Sequence, residues 1–424
     1  MFMTHMVFLC IMMRPHDQRA VLALDDGLVL EGEALGASGW AGGEVVFTTS
    51  LTGYQEVLSD PSYCGQIVVM AYPLVGNYGF MDEALESGRP QVAGFVVRWA
   101  APGDDAAGRA GLDAYLRAWG VVGIAGVDTR RLVRHLRAGG VRRGVIASAE
   151  ASTADLVARA RALPDLGDLD LVGRVSTREV LRYPGDGPRI AVLDCGVKQG
   201  IVRHLWARGC DVTVFPHDAT AAQIRAAGAQ GLVVSNGPGD PARLGAIARE
   251  VAALWGAMPV LGICLGHQIL ALAAGARTFK LPFGHRGSNH PVRDEETGQV
   301  AITTQNHGYA VDEATLAGTG LHVTHRNLHD GTVEGMRHRR LPVFSVQYHP
   351  EGRPGPQDAV ALFDRFLAMV AAHGTPGRGR AVDGLQAPDA AGRAPRGPDG
   401  PAGMGGADHP AAGSAPAADE AGRR

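Results

Sequence analysis

Apolar residues along the chain gather in short runs bounded by turn residues, and the spacing of those runs changes once, near residue 188. In the first part, apolar stretches at 21–24 and 28–30 flank Asp25-Asp26-Gly27. Asp-Gly between two such stretches predicts a β-hairpin, because that pair suits the turn that matches strand twist. Further strands are predicted at 44–49, 66–71 and 92–97. Helices are predicted at 129–138, with Asp128 as N-cap, and at 153–163. Before the second helix, Ser152 and Asp155 have capping-box spacing with Asp in place of Glu. The pattern predicts a mixed α/β domain over 17–165 and a linker over 166–188 that ends in the turn formers Arg182-Tyr-Pro-Gly-Asp-Gly-Pro188.

Between 189 and 374 strand and helix alternate: strands at 190–193, 212–215, 231–234 and 259–263, helices at 200–208, 220–227, 242–255 and 266–276. Alternation of this kind predicts an α/β domain with a doubly wound, mostly parallel sheet and helices on both faces. Ligands of such sheets sit beyond the carboxyl ends of the strands.

The two ends differ from both parts. From 375 to 424 the chain is mainly Ala, Gly, Pro, Asp and Arg, with Val382, Leu385 and Met404 as its only larger apolar residues. That is too little to bury against the entropy of ordering, so a disordered tail is expected. Residues 1–16 form a leader whose first thirteen residues are mostly apolar. A signal peptide is one reading, but no Lys or Arg precedes the run and no small-residue cleavage site follows it. A start at Met12 or Met13 is expected instead.

Composition excludes several classes of partner. A hydrophobic content of 46% in 424 residues supports two or three ordinary cores. A net charge of -3 gives no reason to expect nucleic acid or an anionic membrane. No run reaches the roughly 18 apolar residues of a spanning helix. Five cysteines without CxxC pairing or zinc-like spacing to histidines argue for a reducing compartment, and a cytoplasmic location is expected.

One of those cysteines carries chemistry. The segment Pro259-Val-Leu-Gly-Ile-Cys264-Leu-Gly-His-Gln268 places Cys264 between an apolar strand and a helix. Gly262 and Gly266 let the strand and helix backbones pass close together while the thiol is pushed out at the tip. Free N–H groups and the positive end of the helix dipole favour an anionic sulfur there. Cys10, Cys64, Cys195 and Cys210 read as structural or incidental. A base is available at the end of another apolar strand, in Leu341-Pro-Val-Phe-Ser-Val-Gln-Tyr-His349-Pro-Glu351. His349 can take the thiol proton and return it to a leaving amine, and Glu351 can hold the imidazole tautomer. Val234-Ser-Asn-Gly237-Pro-Gly239-Asp-Pro241 also follows a strand, and its glycines let the backbone aim N–H groups at a ligand. It lacks the lysine and hydroxyl residue of a phosphate loop. His285 and His290 lie five apart in a glycine-containing loop without zinc-ligand register, so no metal is expected and the loop reads as partner-contacting or close to substrate.

Gly262-x-Cys264-x-Gly266-x-Gln268, His349-Pro350-Glu351 and the Asn-Gly-Pro-Gly loop resemble the class I, or triad, glutamine amidotransferases. In the first part, Phe47-Thr-Thr-Ser50-Leu-Thr-Gly-Tyr-Gln-Glu56, Asp60-Pro-Ser-Tyr63, Tyr72-Pro-Leu-Val-Gly-Asn-Tyr-Gly79 and Gly126-Val-Asp-Thr-Arg-Arg131 resemble the amino-terminal domain of carbamoyl phosphate synthase small chains. Gly284-His-Arg-Gly-Ser-Asn-His-Pro291 and Gln305-Asn-His-Gly308 carry the same resemblance in the second. It implies hydrolysis of L-glutamine through a thioester on Cys264, with His349 and Glu351 completing a triad and the N–H groups of Leu265 and Gly237 facing the oxyanion. Ser50, Gly237, Gly239, Leu265, Gln268, Asn306, Gly308 and Tyr309 would hold glutamine. It also implies a heterodimer, open to higher assembly, with a large chain that makes carbamoyl phosphate from bicarbonate for arginine and pyrimidine biosynthesis. ATP and Mg2+ would belong to that large chain, with no cofactor in this one. Alternatives are another triad amidotransferase or a γ-glutamyl hydrolase, and a silent scaffold that regulates a partner.

Overall fold

In the computed structural model, which describes residues 19–103, 111–147 and 152–374, the first set of apolar runs closes on itself. The expectations for the leader, its start and the tail lie outside the described residues. The strands are β1 (Arg19–Leu24), β2 (Val29–Gly36), β3 (Trp40–Thr48), β4 (Gln66–Met70), β5 (Leu74–Val75), β6 (Gly94–Val96), β7 (Trp99–Ala100), β8 (Val122–Ala125) and β9 (Arg142–Ala147). Seven of them form a closed barrel in the order β1-β2-β8-β6-β4-β3-β9, while β5 and β7 pair with each other. The Asp-Gly hairpin is present: Gly27 has φ 96, and β1 and β2 run antiparallel on either side of it.

Burial on both faces explains why these strands read as continuous apolar runs. Ile67 and Val69 of β4 join Leu22, Leu24, Val45, Phe47 and Ile124 in the barrel interior. Val68 and Met70, one residue out of phase, pack outside the barrel with Val57 and Leu58 of the helix Tyr54–Ser59 and with Leu112 and Leu116 of the helix Leu112–Ala118. The helix Thr129–Gly139 is capped by the Asp128 carboxylate, which accepts from Arg131 N at 2.9 Å. Ser152 caps the helix Thr153–Ala162 in the same way, accepting from Asp155 N at 3.1 Å.

The second set forms a ten-stranded sheet from β10 (Leu181–Tyr183), β11 (Arg189–Asp194), β12 (Asp211–Pro216), β13 (Gly231–Val234), β14 (Val260–Ile263), β15 (Thr278–Asp294), β16 (Val300–Val311), β17 (Leu321–Asn327), β18 (Val333–His338) and β19 (Val343–Val346). Its order is β10-β12-β11-β13-β14-β19-β18-β17-β15-β16. From β12 to β19 the pairing is parallel, as the alternation predicts. Ile247, Val251, Ile269 and Leu270 cover one face of this part. Ile201, Leu205, Phe363 and Phe366 cover the other. From β19 to β16 the sheet continues in antiparallel pairing, an extension that the strand-helix alternation does not reveal.

Part of the predicted linker has structure of its own. A short helix spans Val172–Val175, Leu166 and Leu171 are buried, and β10 adds an antiparallel edge to the sheet.

Candidate active site

Cys264 sits between β14 and the helix Leu265–Ala273 with φ 54 and ψ -104, and is the only non-glycine residue of positive φ among the described residues. Such a backbone is strained for a side chain bearing Cβ, so the surroundings must hold it. Gly262 and Gly266 allow that hold. A Cβ on Gly262 would stand 2.6 Å from the Gly266 carbonyl oxygen, and one on Gly266 would stand 2.0 Å from that of Val234.

β14 lies between two parallel neighbours, β13 and β19, and His349 and Glu351 lie just beyond the end of β19. Main-chain pairing fixes the histidine, whose N donates to the Thr304 carbonyl at 2.9 Å. Its Nδ1 lies 2.7 Å from Glu351 Oε1, and both side chains are buried. Nε2 has no hydrogen-bond partner. Burial alone would lower the pKa of His349, but the Glu351 charge more than reverses this, helped by nearby Cys264, and holds it at about 10. The Cys264 S–H points instead to the Asn306 carbonyl, 3.6 Å away. Thiol and imidazole are thus neighbours without a formed bond between them, an arrangement common in catalytic sites before a ligand arrives.

Two buried residues absent from the sequence prediction stand behind this pair. Lys198 Nζ donates to Glu351 Oε1 at 2.7 Å and also to the Arg353 carbonyl. Although burial works against both charges, each raises or lowers the other in the stabilising direction: Lys198 is shifted up, and Glu351 is held well below the carboxylate range by Lys198 and His349. Glu86 comes from the first part of the chain, is fully buried, and accepts from Gly200 N at 2.8 Å. Burial pushes its carboxyl up, with Lys198 opposing. A signal existed for Lys198: the chain has only two lysines among its 40 basic residues, Lys198 and Lys280.

Gly237, Gly239, Cys264, Gln268, Asn306, Gly308 and Tyr309 line one small cavity. The Gln268 amide nitrogen donates to the Tyr309 carbonyl at 2.8 Å and to Gln347 Oε1 at 2.9 Å, which leaves its own carbonyl oxygen to offer a ligand. Leu265 does not line this cavity with its side chain, which is buried in the core. Ser50 and His349 line a narrow neighbouring space, and Asn306 borders both. The Ser50 hydroxyl pairs with that of Ser288 at 2.9 Å. Other barrel-side groups reach the same region, where Asp60 Oδ2 accepts from Asn306 Nδ2 at 2.8 Å and Ser62 Oγ accepts from Asn236 Nδ2 at 3.0 Å.

The segment with His285, expected as a loop, lies within β15, where pairing with β16 sets His285 opposite His307 and makes it part of a buried ionic group. His285, His307 and Glu334 bring ligand-type atoms within 4.8 Å of one another. Protein partners already occupy the histidines: His285 Nε2 pairs with Asp330 at 2.8 Å, and the two nitrogens of His307 lie 2.7 Å from the Tyr309 carbonyl and 2.6 Å from Gln305 Oε1. Burial opposes a charge on His285, but Asp330 and Glu334 raise its pKa to about 9.

Both parts of the chain resemble known proteins. Residues 191–369 match the family model of class-I glutamine amidotransferases, and residues 22–146 that of the carbamoyl-phosphate synthase small chain, CPSase domain. The chain is 50% identical over 350 residues to a carbamoyl phosphate synthase small chain of Bacillus caldolyticus, covering 82% of this chain and 96% of that one. It is 50% identical over 360 residues to one of Methanopyrus kandleri, covering 84% and 100%. A pyrimidine-specific small chain of Halalkalibacterium halodurans is 45% identical over 350 residues, covering 82% and 96%. With both domains matched and nearly the full length of these relatives covered, the chain belongs to the carbamoyl phosphate synthase small chain family and contains a class-I glutamine amidotransferase domain.

Proposed function

We propose that this chain hydrolyses L-glutamine to glutamate and ammonia and delivers the ammonia to a large partner chain. The observation that carries the reading is Cys264, held at φ 54 beside the buried His349–Glu351 pair. With the thiol proton on His349, whose raised pKa favours the imidazolium, the sulfur attacks the side-chain amide carbon of glutamine. The oxyanion that forms faces the N–H groups of Leu265 and Gly237. As the C–N bond breaks, His349 returns the proton to nitrogen and ammonia leaves. Water, giving a proton to His349, then attacks the thioester; the C–S bond breaks, the thiol is restored and glutamate departs. Glu351 keeps the imidazole oriented throughout.

Gly237, Gly239, Leu265, Gln268, Asn306, Gly308 and Tyr309 hold the substrate, with Ser50 acting from the barrel side. The curated relatives are named small chains, and a small chain calls for a large one. The large chain would bind ATP and Mg2+ and use the ammonia with bicarbonate to make carbamoyl phosphate, for arginine and pyrimidine biosynthesis, in a heterodimer open to higher assembly. A cytoplasmic location fits the free cysteines 64, 195, 210 and 264, and no described helix is long and apolar enough to cross a membrane.

Ammonia release by the full chain, with and without Cys264→Ala, tests the chemistry. Release that survives the substitution overturns it. A large ATP-using chain should co-purify with this one; its absence would favour a hydrolase that releases ammonia to water.

A further inference from the structure

We propose that Glu86 is a positioning residue for the Cys264 site: from the barrel part of the chain it caps the helix Gln199–Trp206 and so fixes the lysine that holds Glu351. The assignment rests on the glutaminase reading above.

The helix Gln199–Trp206 begins without a side-chain cap of its own. Lys198 stands at its N-cap position, and a lysine side chain has donors but no acceptor for the free N–H groups of a first turn. Lys198, Gly200 and Ile201 are buried, so the acceptors must come from protein. Glu86 supplies two. Its main-chain carbonyl accepts from Gln199 N at 2.8 Å, and its Oε2 accepts from Gly200 N at 2.8 Å across 114 residues of chain. A carboxylate there also meets the positive end of the helix dipole. Oε1 has no hydrogen-bond partner, so one oxygen does the capping and an amide can take its place.

Glu86 is itself held. Its N donates to Ser59 Oγ at 2.9 Å, and on the same loop the Glu83 and Leu85 carbonyls accept from Arg203 Nη1 and Nη2 at 2.8 and 3.2 Å. The barrel side thus grips the first two turns of this helix. Gly200 makes the fit possible, since a Cβ there would stand 3.0 Å from Glu351 Cγ and 3.1 Å from Glu86 Oε2. Two carboxylates therefore flank one glycine. Lys198, just before the helix, reaches Glu351 Oε1 at 2.7 Å and the Arg353 carbonyl. A shift of the helix start moves the Lys198 backbone, and with it the ammonium that sets the oxygen facing His349. Glu86 lines neither the Cys264 cavity nor the space beside His349, so it acts through Lys198 and not on substrate.

Reach and charge can be separated at this position. Glu86→Gln keeps an acceptor within reach of Gly200 N and loses the charge, whereas Glu86→Asp keeps the charge and draws the oxygen back. In the full chain acting on L-glutamine, kcat should stay within about threefold of native in Glu86→Gln and fall about tenfold or more in Glu86→Ala, with KM within about threefold throughout. Glu86→Asp should fall between the two, and it covers the case in which the alanine variant fails to fold. The reverse order, with Glu86→Asp active and Glu86→Gln impaired, overturns the cap. Native kcat in folded Glu86→Ala, or a change confined to KM, overturns it too. A double-mutant cycle separates positioning from general loosening. In the Lys198→Met background Glu86→Ala should lower kcat by less than about twofold more, and an equal factor in both backgrounds overturns the route through Lys198. Failure of the glutaminase reading would show separately, as ammonia release that survives Cys264→Ala.

Discussion

Lys198 and His349 share one carboxylate oxygen: Glu351 Oε1 lies 2.7 Å from Lys198 Nζ and 2.7 Å from His349 Nδ1. The lysine neutralises a charge that would otherwise stand buried with only a histidine beside it. Lys198→Met should therefore lower unfolding free energy by about 3–5 kcal/mol, the usual cost of leaving one partner of a buried pair unpaired. Urea unfolding measures it. Glutaminase kcat should fall as well, because Glu351 loses the contact that fixes the oxygen bonded to His349.

The elbow makes a prediction opposite in sign to ordinary glycine substitutions. At φ 54 and ψ -104, alanine in place of Cys264 keeps the strain and glycine removes it. Cys264→Gly should be more stable than Cys264→Ala by about 1–3 kcal/mol, with both devoid of glutaminase activity. Thermal unfolding of the two inactive variants is the check; equal midpoints would mean that the backbone there is unstrained.

Ser50 and Ser288 should behave as one unit. Their hydroxyls are 2.9 Å apart, and Ser288 also donates to the Pro354 carbonyl at 2.7 Å, which ties the barrel to the loop after Glu351. In a double-mutant cycle, Ser50→Ala and Ser288→Ala should show a coupling of about 0.5 kcal/mol or more in glutaminase kcat/KM. Strict additivity would show that Ser50 meets substrate without help from this contact.

His285 and Asp330 give the pH dependence of stability. With a folded pKa raised to about 9, His285 contributes stability that is fully present below its ordinary value of about 6.5 and is lost as pH rises through 9. Burial opposes the charge on Asp330, yet His285 holds it down to about 2. Its contribution is present above about 3.9 and is lost as pH falls toward 2. The stability difference between the native chain and His285→Gln should be largest between about pH 4 and 6.5 and should shrink from there to about pH 9. Urea unfolding across that range measures the decline.

The parts of the fold that could be read from sequence are those governed by local signals. Asp25-Asp26-Gly27 sets its turn within three residues, Asp128 and Ser152 cap helices within four, and the strand-helix alternation after 189 reports the parallel pairing from β12 to β19. Closure of the barrel depends on β1 meeting β9, more than a hundred residues away, and no local pattern records it. The antiparallel half was hidden for another reason. β15 is interrupted by register shifts between Lys280 and His285 and between Gly287 and His290, so its side chains do not alternate regularly. Within the site, Cys264, His349 and Glu351 stand in motifs, whereas Lys198 and Glu86 act through distant contacts that only folding creates. Ser50 was found from its motif, but its hydroxyl meets Ser288 before it meets a ligand.

Barrel closure has a consequence for assembly. Each of its seven strands is paired on both sides, so among the described residues the barrel itself offers no backbone ladder for another protein to extend, and only the two-residue strands β5 and β7 outside it keep open edges. Whatever docks on the barrel must recognise side chains and loops, where charge and shape discriminate among partners. In the larger sheet, strand addition has two places to begin, the three-residue β10 and the outer side of β16. A closed barrel is protected from edge-to-edge stacking on copies of itself.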